Sequence, residues 1–159
     1  MKTTAHNPKL YRQGDVQLRY VDLLPSKLKP VVRQSGRLIL ANGTSGHSHF
    51  IDDPGTEMGE AADGGRFLTV KGEAIKGRFP IIKHTKLHVL VRHPKLGEVA
   101  FAEGDIKVTG KSAVVDGPFA LLHHDAKPIE HYPQALPRGQ AEQMDQSEYN
   151  QEEIRRVQD

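Results

Sequence analysis

From Val16 to Leu122 the chain alternates apolar and polar residues with a period of two, and Gly or Pro interrupts nearly every run. A period of two puts successive side chains on opposite faces, which suits a half-buried strand and not a helix. Val16, Leu18 and Tyr20 point one way while Gln17 and Arg19 point the other. The segment 24–30 carries two prolines and reads as a connection, Arg37-Leu-Ile-Leu-Ala41 as a second strand, and Asn42-Gly43 as a tight turn. His47-Ser-His-Phe-Ile51 re-enters as a strand, and the acidic, Gly-rich stretch 52–65 reads as a loop. Further short runs are expected at 66–70, 86–92, 98–103, 106–108, 113–115 and 119–122. The pattern predicts an all-β fold, a small barrel or sandwich, in a single domain spanning 1–159 with residues 1–10 as an N-terminal arm. Only the end changes period. Asn150 and Glu153 fit a capping pair, Ile154 and Val157 make a one-sided stripe, and together they predict a short helix within 150–159.

A chain of 159 residues is the length of one ordinary domain, and a mean hydropathy of −0.56 predicts a thin core. The absence of cysteine excludes a disulfide framework, a thiolate metal site and a cysteine nucleophile, so any metal must be held by His, Asp or Glu. No apolar run follows Lys2 and none reaches about 18 residues, so neither a signal peptide nor a membrane span is expected, and the expected location is the cytoplasm or a phage particle assembled in a host cytoplasm. Charge is unevenly spread. Between Arg66 and Lys95 stand eight Lys or Arg against the single acid Glu73, whereas 52–63 holds five acids and no base. Such asymmetry fits a contact with nucleic acid or another polyanion, for which Lys76, Arg78, Lys83 and Lys86 are the candidate residues. Lysines that keep strand edges soluble explain the same asymmetry without any partner, and this is the simpler reading.

The sharpest chemical feature is Gly46-His47-Ser48-His49, because histidines at i and i+2 of a strand share a face and their imidazoles can converge on one ion. A second group, His123-His124-Asp125, ends the 119–122 run, with His131 a little further on. If that strand end meets the first pair, His47, His49 and His123 or His124 form a three-imidazole site for a divalent metal, zinc above all, and Asp125 orients a ligand or acts as general base. His84, His88 and His93 lie in the basic window, and turn chemistry accounts for Asp15 and Asp105.

Three segments carry a resemblance: Tyr11-Arg-Gln-Gly-Asp-Val16, Ser45-Gly-His-Ser-His49, and the stretch from Leu136-Pro-Arg-Gly139 through Glu148-Tyr149 to Arg155-Arg-Val157. Together they resemble an uncharacterised group of short bacterial and phage proteins, which implies a bacterial or phage origin and adds weight to His47 and His49 without naming a reaction. In that group a further histidine is expected where Ala126 stands, so His124 or His131 would have to substitute. The His-x-His motif is also similar, in part, to that of the cupins, which implies a jelly-roll-like barrel. Two functions are compatible with these features. One is a metal-dependent hydrolase, in which metal-bound hydroxide attacks an ester or phosphoester with Asp125 accepting the proton. The other is a phage structural or accessory protein, a homo-oligomer whose β-domain serves assembly or nucleic-acid contact.

Overall fold

The computed structural model describes residues 9–42, 47–125 and 131–144. These residues form β1 (Leu10–Gln13), β2 (Val16–Val21), β3 (Lys29–Pro30), β4 (Leu38–Asn42), β5 (Ser48–Ile51), β6 (Glu57–Glu60) and β7 (Arg66–Val70). They continue as β8 (Glu73–His84), β9 (His88–His93), β10 (Gly97–Ala102), β11 (Lys107–Thr109), β12 (Ser112–His124), β13 (Gln134–Pro137) and β14 (Gly139–Gln143). A single 3₁₀ turn at Glu103–Asp105 is the one helical element among the described residues. The fold is all-β, and no described helix is long and apolar enough to cross a membrane. The expected helix at 150–159 lies outside the described residues, as do residues 1–8 of the expected arm; Leu10 already belongs to β1.

Two sheets build the domain, one in the order β1-β2-β14-β7-β6-β3 and the other β13-β10-β9-β8-β12-β5-β4. In the second sheet β13 also pairs with β12, so the pairings β12–β8–β9–β10–β13–β12 close into a five-stranded ring. Ile75, Phe79, Val89, Val91, Val99, Phe101, Ala113, Val115 and Phe119 form its interior. The first sheet packs across β4, β5 and the end of β12 around Leu18, Leu38, Ile51, Leu68 and Leu122, which makes a sandwich. Each of these large side chains contributes about 1.5–3 kcal/mol relative to exposure. Both expected architectures are therefore present, fused through one strand.

That strand is β12. At 13 residues it is the longest, and alternation lets it serve two cores: Ala113, Val115 and Phe119 face the ring, while Ala120 and Leu122 face the sandwich. His124 follows Leu122 on the sandwich face, and the intervening His123 points the other way. Gly72 enables the close passage of β12. It has φ 74°, and a Cβ there would lie 2.5–2.8 Å from the backbone of Phe119. The outer edge of β4, which would otherwise expose free carbonyls, is covered by side chains: Gln143 Nε2 donates to Leu40 O (2.8 Å) and Arg66 to Ile39 O (3.2 Å).

The acidic stretch read as a loop contains β6, whose Met58 is buried in the sandwich core. The 12-residue β8 carries Gly77 and Pro80, residues that break a strand pattern in sequence. Pro80 faces away from the ring, whereas Gly77, the register partner of Val115, faces it, and a Cβ there would lie 3.0 Å from the Phe79 ring.

Candidate functional site

At one end of the sandwich core the two histidine groups meet. In the β5–β12 ladder His49 is the register partner of His124, and His123 that of Phe50. Cross-strand partners share a face, so His49 and His124 stand side by side with ring centroids 4.4 Å apart. His131, returning after β12, places its ring 5.0 Å from His124 and 5.9 Å from His49. The three imidazoles thus form a closed triangle. His47 joins at its rim, 6.1 Å from His124.

The opposite wall is the β1–β2 hairpin. Its two-residue turn has Gly14 in first place with φ 56°, the arrangement of a type II′ turn, and Gln13 closes the ladder against Val16. The glycine is also needed for space. A Cβ on it would lie 2.9 Å from His131 Nε2, 3.0 Å from His49 Cε1 and 3.3 Å from His49 Nε2. The Nε2 atoms of His49 and His131 therefore both approach one point in front of this turn.

Gln13 determines which nitrogen of His49 carries the proton. Its buried amide nitrogen donates to Leu122 O (2.8 Å) and Tyr132 O (2.9 Å), two carbonyls that can only accept. The amide oxygen is then the atom 2.9 Å from His49 Nδ1, and since that oxygen can only accept, Nδ1 must be the donor. Nε2 of neutral His49 is left with its lone pair, facing the other imidazoles. Burial lowers the His49 pKa to about 4, with further lowering from His124 and His131 opposed by Asp15 and Asp125, so the ring is neutral at pH 7.

Asp125 continues the β5–β12 ladder. Its Oδ1 accepts from Ser48 N at 2.7 Å and lies 3.6 Å from His47 Nδ1, so it stands behind His47 and not inside the triangle. His123 lies on the other face of the sheet, stacked on Phe50 at 5.1 Å with its Nε2 3.3 Å from Asp52 Oδ1; Arg37 lies over the same Phe50 ring. The structure thus brings together His47, His49 and His124 from the expected ligands, adds His131, and does not bring His123 to them. Alternation on β12 is the reason: adjacent residues of a strand cannot both face one core. Among the described residues, no three His, Asp or Glu side chains are placed as they stand so that they could hold a metal ion.

The remaining described histidines, His84, His88 and His93, lie away from this cluster. His84 pairs with Glu103 (2.7 Å), and His93 Nδ1 accepts from Lys95 N and Leu96 N in the β9–β10 turn. Burial lowers the pKa of His88. Of the expected anion contacts, Lys76, Arg78 and Lys83 are exposed on β8 and Lys86 is exposed in the turn after it.

The architecture defines an all-β domain in which a small closed ring and a sandwich share a strand, with a histidine cluster closing one end of the sandwich core. The chain belongs to the family described as a domain of unknown function (DUF8820), which matches residues 12–111 and so covers Gln13, Gly14, His47 and His49. No curated protein and no solved structure matches it.

Proposed function

We propose that this domain binds one divalent transition-metal ion, with Zn²⁺ the ion best suited to the donors, through His49, His124 and His131, with His47 at the rim. The observation that carries the reading is the closed triangle of ring centroids at 4.4, 5.0 and 5.9 Å. Imidazoles bound tetrahedrally to one ion through Zn–N bonds near 2.0–2.1 Å have centroids about 5 Å apart, close to the spacings of this triangle, and ion binding would have to turn the rings toward one another. The Gln13–His49 hydrogen bond supports it further, because metal-ligating histidines are commonly oriented by an acceptor on the second nitrogen. Three protein ligands leave a fourth position for water, whose pKa on zinc falls to about 7. With His47 at the rim and Asp125 behind it, hydrolysis of an ester or phosphoester is the chemistry such a centre would perform.

The test is metal content and zinc-dependent stabilisation of protein purified without a histidine tag. Near-stoichiometric metal is expected, and Zn²⁺ should raise the Tm of the metal-stripped wild type by mass action. His49→Ala, His124→Ala and His131→Ala should each abolish that rise, while His123→Ala should retain it because His123 faces away. Metal-free protein with no zinc response, or a response lost only in His123→Ala, refutes the reading. Large symmetric assemblies of such metal-free protein would favour the structural or accessory role instead.

A further inference from the structure

The basic residues of the 66–95 window do not act as one patch. Arg66 reaches Glu60 at 3.7 Å and Arg92 reaches Glu98 at 3.3 Å, so both are answered locally. Lys76 and Arg78, by contrast, alternate with Ile75 and Phe79 of the ring interior and so point outward from it. A register shift after Ile81 makes Lys83 the partner of Leu90, which alternates away from the interior residues Val89 and Val91; this turns Lys83 to the same outer side. The neighbouring strands add cations that lie outside the window. Arg78 pairs with Val114, and Val114 on its other side pairs with Lys107, so Arg78 and Lys107 flank Val114 across three strands. Lys111 is exposed in the β11–β12 turn, whose carbonyl accepts from Ile81 N at 2.9 Å. Against these five cations the three strands bring one outward acid, Asp116, the register partner of Lys76.

We propose that this outer face of the ring, β8 with β12 beside it and β11 beyond β12, binds the phosphate backbone of duplex nucleic acid without reading sequence. From Lys76 to Lys83 the strand runs roughly 20 Å, enough to follow several consecutive phosphates of one strand. Arg78 is held for the purpose: its guanidinium donates to Thr109 Oγ1 (2.7 Å) and Ser112 Oγ (3.1 Å), which fixes it over the sheet. The outward residues of the three strands include no aromatic ring on which an unpaired base could stack, so the chemistry favours a duplex over a single strand.

The experiment is fluorescence anisotropy with a labelled 20-base-pair DNA duplex, titrated across a salt series. Binding at low salt is expected, with log K falling against log salt at a slope of about −4 for four to five neutralised phosphates. Lys76→Glu/Arg78→Glu/Lys107→Glu should lose at least tenfold in affinity with an unchanged thermal melt. Should that variant not fold, Lys76→Gln/Lys83→Gln, which leaves the Arg78 hydrogen bonds intact, should flatten the slope by about two. No duplex binding at low salt, binding unaltered in the substituted proteins, tighter binding of single-stranded DNA of the same length, or binding of heparin alone each overturns the proposal.

Discussion

Gln13 lies at the junction of the fold and the site, and its replacement by Met separates the two contributions. The side chain is 4% exposed and satisfies three partners at once: Leu122 O, Tyr132 O and His49 Nδ1. Met has nearly the same length and volume, so little cavity forms and the loss is that of the hydrogen bonds. Each buried polar group left unmade costs about 1–3 kcal/mol, and water reaching the half-exposed Tyr132 end recovers part of this. A net loss of about 3 kcal/mol is expected, or a fall of about 6–12 °C in Tm for a chain of this length. Urea denaturation of the metal-free protein measures it. Nitrogen-15 NMR of the imidazoles reads the second consequence: His49 should carry its proton on Nδ1 in the wild type and lose that preference in Gln13→Met. A loss below about 1 kcal/mol, or an Nε2-protonated His49 in the wild type, refutes the reasoning.

Other substitutions probe other contacts. Gly72→Ala drives a Cβ to within 2.8 Å of the Phe119 backbone at a positive φ and should cost more than about 3 kcal/mol by urea denaturation, because backbone cannot swing aside. Gly14→Ala presses on His49 and His131 and should shrink the zinc-dependent rise in Tm, whereas Gly64→Ala, at a positive φ with nothing within 4 Å, should leave that rise intact. For His49 the folded pKa of about 4 lies below the ordinary 6.5, so its contribution is complete above pH 6.5 and is lost as pH falls toward 4. The metal-free wild type should lose about 3 kcal/mol across that window and His49→Asn markedly less, as followed by the urea midpoint; a flat wild-type profile counts against the burial of a neutral ring.

The alternation of a half-buried strand matches the burial of β4, while β2, β5 and β9, also legible as apolar runs, each bury three consecutive residues. Legibility fails where β12 is buried on both sides in turn. Ala113 to Val115 and Phe119 to Leu122 read as two separate runs because Gly117 and Pro118 stand between them, although the ladder to β8 continues through both residues. β8 itself was obscured by its own Gly77 and Pro80, and β13 and β14 by the prolines and glycine of the Leu136-Pro-Arg-Gly139 corner. In each case a residue that ordinarily ends a strand is tolerated by the closing of the ring or the turning of a corner, which is tertiary information.

The site divides along the same line. That His47 and His49 share a face follows from spacing alone, and that His124 rather than His123 joins them follows from spacing once the face of Leu122 is known. Nothing local to the chain indicates Gln13. A glutamine before a Gly-Asp turn is unremarkable until the hairpin is laid across the end of β5, where its amide can link Leu122, Tyr132 and His49. The available signal was the pairing of a Gln-Gly-Asp-Val segment with a Gly-His-x-His segment, two stretches more than thirty residues apart that meet through the Gln13–His49 hydrogen bond and the close approach of Gly14 to the His49 ring. A buried amide with both hydrogens committed to backbone carbonyls can present only its oxygen, so the fold itself dictates which imidazole nitrogen is left free to act.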